Sequence, residues 1–253
     1  MKMSEENLEI KNRYTQFQKH KYLFMFIIVI LLVFFIFLSI MLGSAKINFS
    51  EVFNVFIGQG TELNNQIIFN IRLPRILSGI VAGVALAISG AAMQTILRNP
   101  LGSPFTLGIS NAAAFGAAFA VIVLGAGTGG NSESQGVLIN NPYVVTISAF
   151  LWSLVSTGII FLLARFKDAT PEVMILTGII LGSLFTAGTT ALQYFADDIE
   201  ISTVVFWTFG DIGRASWREF LILSVIVILA TVLFIKNRWN YNALDAGDEV
   251  AKS

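Results

Sequence analysis

The chain contains six long apolar runs, and these constrain its fold more than any other feature. The first, residues 22–41, has 20 residues and no charged side chain. The others are residues 76–97, 105–125, 144–164, 173–196 and 217–235. About 20 helical residues cross the roughly 30 Å hydrocarbon layer of a bilayer, whereas barrel strands alternate over about 10 residues. The runs therefore predict an all-α, polytopic membrane protein with six transmembrane helices.

Composition supports this class and excludes others. Charged residues make up 13% of the chain and apolar residues 55%, against about 25% charged in soluble domains. A net charge of zero argues against nucleic acid as a partner, because such partners require a basic surface. The absence of cysteine excludes disulfides and thiolate metal sites. The 20-residue apolar core of the first run favours a retained span over a cleaved signal peptide, whose core has about 7–15 residues.

The distribution of lysine and arginine predicts a cytoplasmic N-terminus in the cell membrane. With that orientation, eleven of the 16 cations lie inside and five outside. The five are Lys46, Arg72, Arg75, Arg214 and Arg218. Three segments follow: a cytoplasmic tail (1–21), a transmembrane domain (22–239) and a second cytoplasmic segment (240–253). The loops around Glu133 and around Asp197 and Glu200 are then predicted outside.

Small residues recur at every fourth position in three of the runs, which places each set on one helix face. The sets are Gly79, Gly83, Ala87 and Ala91; Ala112, Gly116 and Ala120; and Gly178, Gly182, Thr186 and Thr190. Helices in lipid associate where small side chains let their backbones approach. These faces predict buried helix contacts, and by themselves they indicate a bundle and no particular function.

The sequence contains no convincing catalytic or nucleotide-binding motif. The sequence GAGTGG (125–130) has the dinucleotide-binding spacing, but it opens a polar loop and no helix follows it, so we interpret it as a turn. No P-loop occurs, so any ATP-driven role requires another subunit. The single histidine, His20, lies in the tail, and no acid or base lies in the middle of a span. The sequence therefore predicts neither an enzyme nor a proton-coupled carrier, and no catalytic residue, metal site or cofactor.

Two features at the membrane edges are more informative. Arg72 and Arg75 flank Pro74 at the predicted outer end of the second span. They are either interfacial arginines that extend toward water or a docking site for an acidic partner. On the inner side, the sequences NPLGSP (99–104) and KDATPE (167–172) form tight connections, because proline does not continue a helix.

Four motifs together carry a family resemblance. They are RLPRILSGIVAGVALAISGAAMQTILRNPLGSPFTLGISNAAAFGA, MILTGIILGS, FWTFGDIGRASW and NALDAGDEVAK. In this order they closely resemble the membrane permease subunits of ABC importers for iron-siderophores, haem and cobalamin, over nearly all of residues 72–253. The resemblance implies three kinds of partner: a cytoplasmic ABC ATPase, an extracytoplasmic substrate-binding protein and a second permease copy.

The resemblance also implies roles for particular residues. Arg72 and Arg75 match the cations that dock the binding protein, and Asn99 and Leu101 match one constriction of the cytoplasmic gate. The other constriction falls, by a looser match, on Thr170, Pro171 and Glu172. The translocation path and its helix packing involve Gly79, Gly83, Gly178, Gly182, Thr186, Trp207 and Gly210. The coupling segment that contacts the ATPase includes Leu244, Gly247, Asp248 and Glu249.

The number of predicted spanning helices departs from the family pattern. Family members have about ten spanning helices, and this chain has six, so the resemblance implies truncation or a fragment of a longer reading frame. The function expected is the ATP-driven import of an iron-siderophore, haem or cobalamin complex. Two alternatives stay open at this point: a carrier that works without an ATPase, and a permease remnant that does not transport.

Overall fold

The computed structural model describes residues 2–126, 141–166 and 170–247, and in these ranges the chain is helical without strands. The helices are α1 (Lys2–Met41), α2 (Phe49–Phe56), α3 (Glu62–Asn65), α4 (Leu73–Leu97), α5 (Ile109–Ala118), α6 (Pro142–Phe166), α7 (Pro171–Tyr194), α8 (Asp198–Phe209), α9 (Trp217–Lys236) and α10 (Arg238–Ala246). A π-helical segment, Gln66–Arg72, leads into α4, and another, Phe119–Val123, extends α5. A short 3-10 turn covers Ile212–Arg214.

Five helical stretches in the described residues are long and apolar enough to span a membrane. They are Glu9–Met41, Glu62–Leu97, Pro142–Phe166, Pro171–Tyr194 and Trp217–Lys236. Their large side chains are widely exposed: Phe26 is 62% exposed, Leu151 54% and Leu229 62%. In water such a surface would be strongly unfavourable. The predicted class, a polytopic helical membrane protein, is confirmed.

The third predicted span, 105–125, differs from the structure. Its helix is Ile109–Val123, which is shorter than the other five. Residues 103–106 instead form a turn in which the Thr106 hydroxyl donates to the carbonyl of Ser103 at 2.9 Å and accepts from the backbone N–H of the same residue at 2.9 Å. Gly108 then takes a left-handed conformation, φ +67°. Apolar composition continues through this turn, so hydropathy alone placed the helix start too early.

The chain divides into two compact units. The first comprises residues up to 79 together with 215–220. Its core is the C-terminal end of α1, the α1–α2 connection, α2 and the first π-helical segment, and its buried residues are Ile40, Ile47, Val52, Val55 and Ile68. The N-terminus of α2 is stabilised by Glu51, whose carboxylate accepts from the Asn48 backbone N–H at 2.8 Å.

The second unit, residues 80–214 and 221–253, is built around α5. At Gly116 the backbone of α5 approaches α6 so closely that a Cβ would lie 2.7 Å from the Ser148 carbonyl oxygen. The Ser148 hydroxyl donates to the Gly116 carbonyl at 2.6 Å. Phe115 and Trp152 meet edge to face at 4.8 Å between ring centroids. The small-residue face of Ala112, Gly116 and Ala120 is therefore buried, as the four-residue spacing predicts.

Candidate functional site

A cavity of about 740 Å³ lies along one face of α7, and the chain from Asn99 to Asn111 forms its other wall. Its lining residues are small, apolar, hydroxyl-bearing or amide-bearing. The lining residues are Asn99, Leu101, Phe105, Thr106, Gly108, Asn111, Ile175, Gly178, Ile179, Gly182, Ser183, Thr186, Ala187 and Thr190. The sequence-predicted residues Asn99, Leu101, Gly178, Gly182 and Thr186 thus lie together at one cavity.

Glycines set the shape of this cavity by bringing α7 against the backbone before α5. A Cβ added to Gly178 would lie 2.6 Å from the Leu107 Cα, and one added to Gly108 would lie 2.5 Å from the Gly178 carbonyl oxygen. Real Cβ atoms essentially never approach so closely. Gly182 is also buried at this contact. The small-residue face of α7 is therefore a close helix contact at its glycines, while Thr186 and Thr190 are exposed.

Asn111 ties α5 to α7 at the junction of two cavities. Its side-chain amide donates to the Gly182 carbonyl at 3.2 Å and to the Thr186 hydroxyl at 3.3 Å. A second cavity of about 290 Å³ shares Asn111, Thr186 and Thr190 with the first and continues toward α8. Every residue lining either cavity is uncharged. Sequence reasoning missed Asn111, because a single uncharged amide within an apolar run gives no signal of charge or periodicity.

The connection after α4 forms a compact turn, residues 98–102, which we call the inner turn. Its hydrogen bonds are those of a Schellman motif: Asn99 N–H donates to the Gln94 carbonyl at 3.1 Å and Arg98 N–H to the Thr95 carbonyl at 3.2 Å. The Asn99 side chain accepts from the Leu101 N–H at 2.9 Å. Leu101 is 76% exposed and lines the first cavity.

The second predicted gate element, Thr170, Pro171 and Glu172, lies outside both cavities. They form the N-terminus of α7, with Thr170 as the N-cap residue and Pro171 in the first turn, and they do not belong to the lining of either cavity. Proline suits this position because the first helical N–H groups have no intrahelical acceptor. The structure therefore brings one of the two predicted gate elements to the cavity and leaves the other at the helix start.

Neither Trp207 nor Gly210, the predicted path residues in and after α8, lines either cavity. Trp207 packs against the buried cluster that includes Val145 and Val204. The residues by which α8 lines the second cavity are instead Val205, Thr208 and Phe209. Gly210 follows α8 as its C-cap residue and has φ +77°, a conformation that favours glycine.

On α4, Gly79 is half-buried and Gly83 is exposed, and a Cβ on Gly83 would meet no atom within 4 Å. Ala87 and Ala91 are exposed as well. The buried contact predicted for this face is therefore absent within the described part of the chain. Four-residue spacing identifies a helix face but not what covers it.

The two arginines around Pro74 differ sharply in environment. Arg72 is only 8% exposed, and its guanidinium donates to the carbonyls of Ile40 and Ala45, at the end of α1 and in the following loop. It lies against Gly43, where a Cβ would meet the guanidinium. Arg75 is exposed. Arg72 therefore satisfies carbonyls at a helix C-terminus, and Arg75 carries the accessible charge.

Trp217 makes a contact beside these arginines that the sequence does not reveal. In the π-helical segment the Leu73 N–H donates to the carbonyl five residues earlier, that of Ile68. By the same spacing, the N–H of residue 74 would donate to the Phe69 carbonyl. Residue 74 is proline and has no N–H. The Phe69 carbonyl, which this donor would have met, accepts the Trp217 indole N–H at 2.9 Å. The tryptophan thus compensates for the proline.

Toward the C-terminal end of the described residues, α10 contains Leu244 and is followed by its C-cap residue Gly247, which has φ +127°. The Leu244 carbonyl accepts from the Gly247 N–H at 3.2 Å and from the Arg98 Nε at 3.1 Å. This second bond joins α10 to the inner turn. Asp248 and Glu249, which were also assigned to the coupling segment, lie outside the described residues.

These features define a helical membrane protein whose uncharged cavities extend from a tight turn toward a short helix, α8. The chain belongs to the FecCD transport family, whose model matches residues 31–253. It is 47% identical over 97% of its length to a Methanocaldococcus jannaschii protein named as an ABC transporter permease, and it covers 70% of that protein.

The chain is also similar to more distant transport permeases and to a solved transporter structure. The hemin transport system permease of Yersinia pestis is 32% identical over 84% of this chain, and the vitamin B12 import permease of Vibrio vulnificus is 31% identical over 74%. A solved structure described as an inward-facing metal-chelate type ABC transporter matches 90% of the chain with a TM-score of 0.73 and 28% identity. The chain spans 60%, 53% and 66% of these three proteins.

Proposed function

We propose that this chain is the permease subunit of a binding-protein-dependent ABC importer in the cell membrane. The observation that carries this is a pair of adjacent cavities that share Asn111, Thr186 and Thr190 and lie along α7 between the inner turn and α8, with an uncharged lining. Family membership supplies the context. ATP hydrolysis is assigned to a separate ATPase subunit, and two permease copies would enclose the path.

The cargo we propose is a bulky metal complex: an iron-siderophore, haem or cobalamin. Hydroxyl groups of Thr186 and Thr190, amides and apolar surfaces line the path, and such walls let a large complex slide without binding tightly. Relatives named for hemin, vitamin B12 and iron-hydroxamate transport support this class. A 28% identical relative from Haemophilus influenzae is named for molybdate, so competition between these cargoes is the appropriate binding test.

We assign docking of the extracytoplasmic binding protein to Arg75, and to Arg72 the task of holding the chain that presents it. The assignment is supported by the exposure of Arg75 and the burial of Arg72. Exposed charges steer association and are screened by salt. Arg75→Glu should therefore weaken capture of the binding protein most at low ionic strength. Lys46→Glu, which reverses another exposed cation, is the control, and equal effects of the two variants would remove the specific assignment.

The inner turn is proposed as a cytoplasmic gate, with Asn99 and Leu101 as its constriction, and the Thr170–Pro171–Glu172 turn as the second gate element. The exposure of Leu101, which lines the first cavity, supports the first assignment. The segment from Leu244 to Glu249 is proposed to contact the ATPase. ATP binding would bias two arrangements of the gates, since ligands shift such equilibria only by differential affinity.

The test is cargo uptake into proteoliposomes that contain the full permease, its ATPase and loaded binding protein. Uptake that requires all three proteins and ATP is the expected result. Cargo flux through the permease alone would favour an ATPase-independent carrier. No flux under either condition, with all three proteins folded, would favour a non-transporting membrane protein.

A further inference from the structure

Arg98 has a backbone conformation that its residue type disfavours. Its φ is +45°, and it is the one non-glycine residue with positive φ in the described ranges. It occupies the position after the α4 C-terminus in the Schellman motif, where glycine is strongly preferred. A non-glycine residue persists in such a sparsely populated backbone conformation only where the surrounding structure holds it there, and such residues cluster at functional sites.

The Arg98 side chain reaches α10, a helix 140 residues further along the chain. Its Nε donates to the Leu244 carbonyl at 3.1 Å. The last carbonyls of a helix lack intrahelical donors and carry the negative end of the helix dipole, so a guanidinium there is favourable in both respects. Leu244 also accepts from Gly247, and a carbonyl oxygen has two lone pairs for these two donors.

The backbone of the same residue defines the inner turn. Arg98 and Asn99 donate the two hydrogen bonds that close the turn onto α4. Leu101, which lines the first cavity, is two residues away from Asn99, and its backbone N–H donates to the Asn99 side chain. One residue therefore contacts α10 through its side chain and sets the turn through its backbone.

We propose that Arg98 is the positioning residue that transmits displacement of α10 to the inner turn. The inference rests on the proposed function, in which α10 belongs to the ATPase contact and the inner turn is a gate. When the ATPase moves α10, the bond to Leu244 carries the motion to the αL residue on which the turn depends. Removal of the link should leave both ends intact but uncoupled.

Arg98→Gly tests this cleanly, because glycine adopts the left-handed conformation without strain and lacks the linking side chain. The variant should retain or exceed the parent's thermal stability in detergent. In the reconstituted complex it should keep ATPase activity stimulated by the binding protein, while cargo moved per ATP falls by about 2- to 30-fold. Arg98→Lys, which keeps the cation, should be intermediate. Arg165→Ala, which removes an exposed cation from the end of α6, should leave the ratio unchanged.

A second measurement does not depend on transport. The chain has no cysteine, so nitroxide labels can be attached at Leu101→Cys and Asn242→Cys, both exposed positions. Arg98→Gly should broaden the distance distribution between the labels, and Arg165→Ala should not. An unchanged distribution together with a parental ratio of cargo to ATP would overturn the proposal. Absence of ATP-driven uptake by the parent would instead defeat the proposed function, and the Arg98 link would then be judged on the label distances.

Discussion

Two arginines separated by two residues have different physical roles here, because backbone geometry, and not their shared charge, decides where each side chain points. Arg72 ends a π-helical segment and turns toward the carbonyls of Ile40 and Ala45. Arg75 lies one helical turn further on and faces outward. Hydropathy and charge identify the pair, but they do not show which member is buried.

Replacement of Arg72 should therefore reduce stability. Arg72→Met keeps the aliphatic length and removes both hydrogen bonds, and each carbonyl left unsatisfied costs about 1–3 kcal/mol. Arg75→Met removes an exposed charge and should change stability by less than about 0.5 kcal/mol. Thermal unfolding of the two variants in the same detergent makes the comparison. Equal midpoints for both would show that the Arg72 contacts contribute nothing to stability.

At the scale of elements, the sequence predicts the close contacts of α5 and α7 but not the exposure of the α4 face. All three helices carry small residues at four-residue spacing, and this spacing is local information. Whether such a face is covered depends on distant segments, such as Leu107 at Gly178. Three residues that line the first cavity, Gly178, Gly182 and Thr186, were assigned to a path by the family resemblance, whereas their spacing predicted only a buried helix face. Asn111 and Trp217 make contacts that no periodicity encodes.

The α5–α7 contact predicts a position-specific effect of alanine. Gly178→Ala would place a methyl group 2.6 Å from the Leu107 Cα, and such overpacking costs about 1–3 kcal/mol. Gly83→Ala adds the same methyl group where no atom lies within 4 Å, and alanine is favoured over glycine in a helix by about 1 kcal/mol. The first variant should unfold at lower temperature than the parent, and the second at the same or higher temperature. Parental stability of Gly178→Ala would contradict the close contact.

For the whole molecule, the sequence predicts the class because lipid imposes one dominant constraint: backbone amides must be satisfied within apolar helices. The third span was predicted too long, since Gly108 and the Ser103–Thr106 turn interrupt it without a change in hydropathy. The inside–outside orientation follows from cation counting alone. It remains a prediction about the membrane-embedded chain.

Single-cysteine labelling decides that orientation, because the cysteine-free chain gives no background. In intact cells, a membrane-impermeant maleimide should react with Arg75→Cys and with Lys46→Cys, both at exposed positions predicted outside. Arg165→Cys and Lys19→Cys, exposed positions predicted inside, should react only after the membrane is permeabilised. The expectation rests on the eleven cations predicted inside against five outside, because cytoplasmic loops carry an excess of lysine and arginine. The opposite labelling pattern would place Arg75 in the cytoplasm, where no extracytoplasmic protein reaches it.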